Sequence, residues 1–218
     1  METCTMMLRT LVFLAALFPL AACAQSTQDA RQGVEYHVIE NGQPLDPKPG
    51  RVEVVEVFSY ACGFCAQLEP VITAWSKNVA DDVDVVHLPA TFGGAIDNFA
   101  RGYFAASSLG IAEESHRPMF QAFHSENRMR QADPDEIAEF YAGFSDEADA
   151  DRVSQMMKSF SMNARLNRAR QFSVRSGIDG TPQIVVNGKY RVVATREGGF
   201  EGMLRTVDQL IERERAGN

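Results

Sequence analysis

Apolar positions along the chain change period several times, and each change marks an element. Val34–Ile39 alternates and precedes Asn41-Gly42, which predicts a short strand and a tight turn. Pro44–Gly50 is proline-rich and reads as a loop. Val52–Phe58 (VEVVEVF) is β-branched and bounded by turn residues, the pattern of a central strand. From Cys62 the period becomes helical. Cys65, Leu68, Ile72, Trp75 and Val79 share one face, Pro70 within it predicts a kink, and Asp81-Asp82 ends it. Val83–Leu88 is a further strand. Strand, helix and strand with a crossover of this length imply a right-handed parallel unit.

Only helical periodicity follows between Gly94 and Gly177. Phe99, Tyr103, Ala106 and Leu109 share a face. Asp133-Pro134-Asp135-Glu136 is an N-cap with a proline at the first helical position, launching Ile137, Phe140, Tyr141 and Phe144. Val153, Met156, Met157 and Phe160 repeat the pattern, then Leu166, Ala169 and Phe172, with Gly177 as the stop. Met156 and Met157 suit core packing better than a soft binding surface. Gln183–Val186 and Tyr190–Val193 flank Asn187-Gly188, a hairpin signal. A last helix aligns Phe200, Met203, Leu204, Val207, Leu210 and Ile211. The expected organisation is an α/β domain made of 34–93 and 178–216, with 94–177 inserted as an all-helical unit.

The 218 residues are 45% hydrophobic and 23% charged, an ordinary globular composition. A net charge of −8 argues against broad nucleic-acid binding, which needs a basic face. Arg9 precedes an apolar run, Leu11–Ala22, interrupted only by Pro19. It is too short to span a membrane comfortably and fits a signal peptide over 1–22. Two exits compete. Ala22-Cys23-Ala24 resembles a small-residue cleavage site. Leu20-Ala21-Ala22-Cys23 reads as a lipobox, the more specific pattern, and predicts lipid on Cys23 with 23–33 as a tether. An exported, soluble protein is the alternative, and Met6 or Met7 is an alternative start. Residues 1–22 carry one acid (Glu2) and one base (Arg9), so the mature charge stays at −8. Export removes Cys4 as well. With Cys23 acylated or cleaved off, the pair Cys62 and Cys65 remains, too few cysteines for a stapled scaffold.

That pair lies where a strand passes into a helix, in Cys62-Gly63-Phe64-Cys65. Unpaired N–H groups and the helix dipole favour an anion at the first position, so Cys62 is expected to have a depressed pKa. Cys65, one turn inward, is placed to form or resolve a disulfide. A structural zinc site needs four ligands, and His37, His87, His116 and His124 are scattered along the sequence rather than grouped at ligand spacing; no metal site is expected. A structural disulfide across so short a loop would restrain little chain entropy. Redox chemistry is the expected use. Gly180-Thr181-Pro182-Gln183 adds a proline directly before a strand, which a cis bond at a tight turn accounts for.

Together these features resemble the thioredoxin superfamily, and the long helical block splitting the fold resembles the DsbA family specifically. The likeness rests on Cys62-Gly63-Phe64-Cys65, on Pro70 eight residues after the first cysteine, on Thr181-Pro182 and on Val186-Asn187-Gly188-Lys189-Tyr190. It spans roughly 34–214. It implies a thioredoxin-like fold, Cys62 as solvent-facing nucleophile, Cys65 as buried partner, Thr181 and Pro182 shaping a groove for extended peptide, and Gly63 and Phe64 as active-site support between the cysteines. Glu56, six residues before Cys62, falls where the family has a buried acid; a solvated strand position is the alternative. The implied activity is thiol:disulfide oxidation of reduced exported proteins in the periplasm, using the disulfide itself and no bound cofactor. A DsbB-like membrane quinone oxidoreductase would regenerate it. Three features depart from the family pattern: Gly63-Phe64 replaces Pro-His, Thr181 replaces valine, and Asp84-Val85-Val86-His87 lacks the lysine that accompanies the acid. These bear on oxidising power. A reductase or isomerase of the same fold is the alternative direction. No segment before Val34 is long enough for the isomerases' dimerisation domain, which disfavours the isomerase reading; a monomer is expected. An anchored chaperone-like binding module is the remaining class, disfavoured by the intact motifs.

Overall fold

A computed structural model describes residues 29–217; the predicted leader 1–22, Cys23 and the first part of the tether lie outside the described residues. In chain order the elements are β1 (Tyr36–Val38), β2 (Val52–Phe58), α1 (Gly63–Ser76), β3 (Val83–Pro89) and α2 (Asp97–Ser108). Then follow α3 (Ala112–His124), α4 (Pro134–Ala142), α5 (Ala150–Lys158), α6 (Phe160–Arg175), β4 (Gln183–Val186), β5 (Tyr190–Val192) and α7 (Gly199–Ala216). The strands form one sheet in the order β1-β5-β4-β2-β3. β2 and β3 run parallel, with Val52 opposite Val83 and Phe58 opposite Pro89. β4 lies antiparallel on the other side of β2, β5 folds back on β4, and β1 closes the far edge. This is the thioredoxin-like arrangement that the resemblance implies, with five helices between β3 and β4.

All seven residues of β2 are buried, because helices cover both faces of the sheet. On one face Val52, Val54, Ile184 and Val186 pack with Leu68 and Ile72 of α1 and with Met203, Val207 and Leu210 of α7. On the other, Val55, Val57 and Val185 pack with Ala169 and Phe172 of α6. A third core forms where Phe58, Tyr60 and Cys65 enter the helical block and meet Phe99, Met119, Phe120, Ile137 and Tyr141. The end of β2 and the start of α1 are therefore walled by α2–α4. Arg117 on α3, whose Nε lies 2.9 Å from Glu69 Oε2 on α1, ties the same layers together.

Local chemistry sets the boundaries. Asp133 caps α4 by accepting from the N–H groups of Asp135 and Glu136. At the hairpin, Asn187 (φ 49°) and Gly188 (φ 67°) supply the two positive φ angles that a type I′ turn requires. Two expectations change. α1 stops at Ser76, short of Val79, because the side chains of Ser76 and Asn78 donate to the carbonyls of Thr73 and Ala74 and compete with further helix. Phe160 does not continue the face of Val153 and Met157: Ser159 ends α5 and caps α6 through the N–H of Met162, which leaves Phe160 89% exposed at the new helix start. Met157 is buried and Met156 packs beside it. Among the described residues no helix is long and apolar enough to cross a membrane.

Phe172 is fully buried between α6 and the sheet. Phe172→Ala is expected to destabilise the protein by about 3–5 kcal/mol, through lost burial and the cavity left behind. Urea unfolding of both proteins checks this, and an unchanged midpoint would count against α6 as the cover of that face.

Candidate active site

Cys62 is the N-cap of α1. Its backbone is extended (φ −89°, ψ 115°), and its sulfur accepts from the Cys65 N–H at 3.2 Å. The helix starts here because Gly63 continues from a turn closed by Cys62 N–H donating to Ser59 C=O, and because the cap fills one otherwise unpaired donor. Cys65 follows one turn later and is fully buried, whereas Cys62 keeps part of its surface. Both are free thiols. Across the sheet, Thr181 precedes β4 through a cis bond to Pro182, and its carbonyl accepts from Cys62 Sγ at 3.2 Å.

The two thiols differ in acidity. The Cys65 thiol hydrogen-bonds to the Cys62 sulfur and does most to lower its pKa. Burial opposes this, while the Thr181 side chain and the N–H groups of Cys65 and Phe64 add to it, and the result is a pKa of about 5. Contact with the Thr181 carbonyl favours the protonated thiol but is outweighed. Cys65 moves the other way: its proton is engaged by Cys62, and burial disfavours its thiolate.

Phe64 stands 65% exposed beside the motif. With Gln67, Thr181, Pro182, Arg196 and Phe200 it lines an open groove of about 590 Å³. A Cβ at Gly63 would meet nothing within 4 Å, so the approach to Cys62 stays open on that side. The groove and the sulfur thus share the Thr181-Pro182 wall.

Glu56 is 1% exposed, so the solvated alternative does not hold. It stands opposite His87 in the β2–β3 register, and its Oε2 lies 2.6 Å from His87 Nδ1. His87 thus occupies the position where the resemblance would place a lysine. Burial works against charge on His87, but the hydrogen bond and charge of Glu56 outweigh it and raise its pKa. His116, from α3, reaches the same place with its ring centroid 4.8 Å from that of His87. Burial, with His87 nearby, lowers its pKa to about 3. Its Nδ1 pairs with the Tyr60 hydroxyl at 2.8 Å, and His124 Nε2 donates to the Tyr60 carbonyl at 2.8 Å. The histidines that look scattered in the sequence are therefore partly gathered: Glu56, His87 and His116 come together through β2, β3 and α3. Sequence spacing could not show this, since the three lie on separate elements. Glu53, on the opposite face of β2, is also buried and accepts from the N–H groups of Leu45 and Asp46.

The depressed Cys62 pKa has a signed consequence. Its thiolate is favoured in the fold relative to an unfolded thiol near about 8.5. The reduced protein therefore gains stability that is fully present above the unfolded value and is lost as pH falls through about 5. The alkylation rate of Cys62 should show a midpoint near 5, and the reduced form should lose stability relative to the oxidised form as pH falls. A midpoint near about 8.5 would remove the electrostatic account.

The chain matches the family described as DSBA-like thioredoxin domain over residues 53–204. It is 35% identical over 211 residues to the thiol:disulfide interchange protein DsbA of Pseudomonas aeruginosa, covering 97% of each chain. It is 34% identical over 203 residues to the Azotobacter vinelandii DsbA, covering 92% of this chain and 93% of that one. The crystal structure of the oxidoreductase DsbA from Xylella fastidiosa superposes with a TM-score of 0.81 at 39% identity, covering 87% of this chain and 100% of the other. With the sheet order, the helix-capping cysteine and the facing cis-proline already in place, this chain belongs to the DsbA-like thioredoxin family of thiol:disulfide oxidoreductases.

Proposed function

We propose that this protein oxidises cysteine pairs of reduced exported proteins in the periplasm, with Cys62 as the attacked sulfur and Cys65 as its buried partner. The observation that carries the reading is the position of Cys62 Sγ, 3.2 Å from both the helix N–H of Cys65 and the carbonyl of Thr181. In the oxidised enzyme a substrate thiolate attacks Cys62, and the Cys62–Cys65 bond breaks. Cys65 leaves with the electron pair and takes a proton. A second substrate thiolate attacks the substrate sulfur of the mixed disulfide and releases Cys62 as a thiolate. The substrate has lost two electrons and two protons; the enzyme holds both electrons and, on Cys65, one proton, and the other proton goes to solvent. A low pKa makes Cys62 a good leaving group and stabilises the reduced enzyme, which is what makes a disulfide oxidising.

Thr181 and Pro182 wall the groove and offer backbone to an extended peptide. Gly63 keeps the approach open, Phe64 supplies apolar contact, and Glu56 supports the site from the central strand. The disulfide carries the electrons without a bound cofactor, and a DsbB-like membrane quinone oxidoreductase takes them up. The protein acts as a monomer after removal of 1–22, held to a membrane by lipid on Cys23. The sequence Leu20-Ala21-Ala22-Cys23 supports the anchor.

Cys62→Ser should abolish thiol–disulfide exchange, and Cys65→Ser should accumulate mixed disulfides with substrate, both read on non-reducing gels. Equilibration with glutathione should place the potential between about −270 and −120 mV, the thioredoxin and DsbA values. Activity retained in Cys62→Ser would overturn the assignment of roles. A potential below that of thioredoxin would favour the reductase direction.

A further inference from the structure

Three side chains at the junction of β2, β3 and α3 make and break no bond in the sulfur exchange at Cys62. Glu56, His87 and His116 each offer a metal-ligating atom, and these atoms all lie within 4.8 Å of one another. We propose that Glu56, His87 and His116 form a binding site for one zinc-type divalent cation.

A carboxylate and two imidazoles are the donor set of three-ligand zinc sites, which keep a fourth position for water or another ligand. The surroundings fit. The Tyr60 hydroxyl holds His116 Nδ1 at 2.8 Å, which leaves Nε2 as the ring nitrogen to ligate; such an outer hydrogen bond commonly orients a ligating histidine. Phe58 packs its ring edge-on against both imidazoles, at 6.3 Å from His87 and 4.7 Å from His116, and limits their rotation. Glu56 and His116 are buried, while the His87 side chain is 28% exposed and provides the entry path.

The required adjustment is small. Bonds of about 2.0–2.1 Å in tetrahedral geometry place ligand atoms roughly 3.3 Å apart. The Glu56–His87 pair at 2.6 Å must open slightly and the widest pair at 4.8 Å must close. His87, at the rim, can supply the opening of the Glu56–His87 pair. The proton between His87 Nδ1 and Glu56 Oε2 leaves to solvent as the ion enters. The ion is a Lewis acid held in place, and no electron transfer is involved.

The test uses the oxidised protein, in which the disulfide leaves Cys62 and Cys65 unavailable as ligands. Zinc chloride is titrated by calorimetry, and histidine ring resonances are followed by NMR. The expected result is one equivalent bound, with shifts confined to His87 and His116 among the four histidines. Glu56→Gln and His87→Gln should each weaken binding by more than about tenfold. No binding, shifts centred on His37 or His124, or equal affinity in both variants would overturn the site. The NMR result on the unaltered protein decides the matter if a variant fails to fold. Exchange activity at Cys62 is a separate readout, so failure of this proposal leaves the redox assignment standing.

Discussion

The site depends on one constraint, the β2–β4 pairing that brings the Cys62 sulfur to the Thr181 carbonyl across 119 residues of chain. Neither residue positions itself. Cys62 is placed by the end of β2 and the first turn of α1, and Thr181 by the strand that pairs antiparallel to β2. The β2–β4 register, with Val57 opposite Gln183, sets how the two loops meet. That register is held by valines buried on both faces, where a slip of one residue would turn every side chain to the wrong layer. The chemistry of one sulfur is therefore a property of sheet packing.

Most of this architecture was legible from periodicity. VEVVEVF, the CxxC at a strand–helix junction, Thr181-Pro182 before a strand and Asn187-Gly188 in a hairpin are local signals, each with its own mechanism. Phe160 and Val79 were misplaced for a local reason too, because small polar side chains at Ser159, Ser76 and Asn78 reset or ended a helix that hydrophobic spacing alone would continue. The Glu56–His87–His116 cluster was not legible. Its members lie 31 and 29 residues apart on two strands and a helix, and only the parallel register and the docking of α3 bring them together.

Acidity at the motif is divided between the cysteines by their mutual hydrogen bond and then by depth, rather than by an added charged residue. Gly63 and Phe64 carry no charge, so Cys62 relies on hydrogen bonds from Cys65, the Thr181 side chain and two backbone N–H groups. Cys65, a turn deeper, has its proton engaged by Cys62 and lies among apolar side chains, so it keeps that proton. The same turn of helix thus stabilises one thiolate and disfavours the other. This asymmetry gives sulfur exchange a direction of attack.

The third core has a consequence for how the chain could be divided. Cys65, Phe58 and Tyr60 belong to the thioredoxin-like part by sequence, yet their packing partners are Phe99, Phe120, Ile137 and Tyr141 of the helical block. His124 and Arg117 add polar ties from α3 to the Tyr60 carbonyl and to α1. A shortened chain joining β3 directly to β4 would keep its strand order but present an aromatic patch at the root of the redox motif, an invitation to self-association. The helical block is thus the missing wall of the smaller domain's interior, and the two parts share a core despite their separate periodicities.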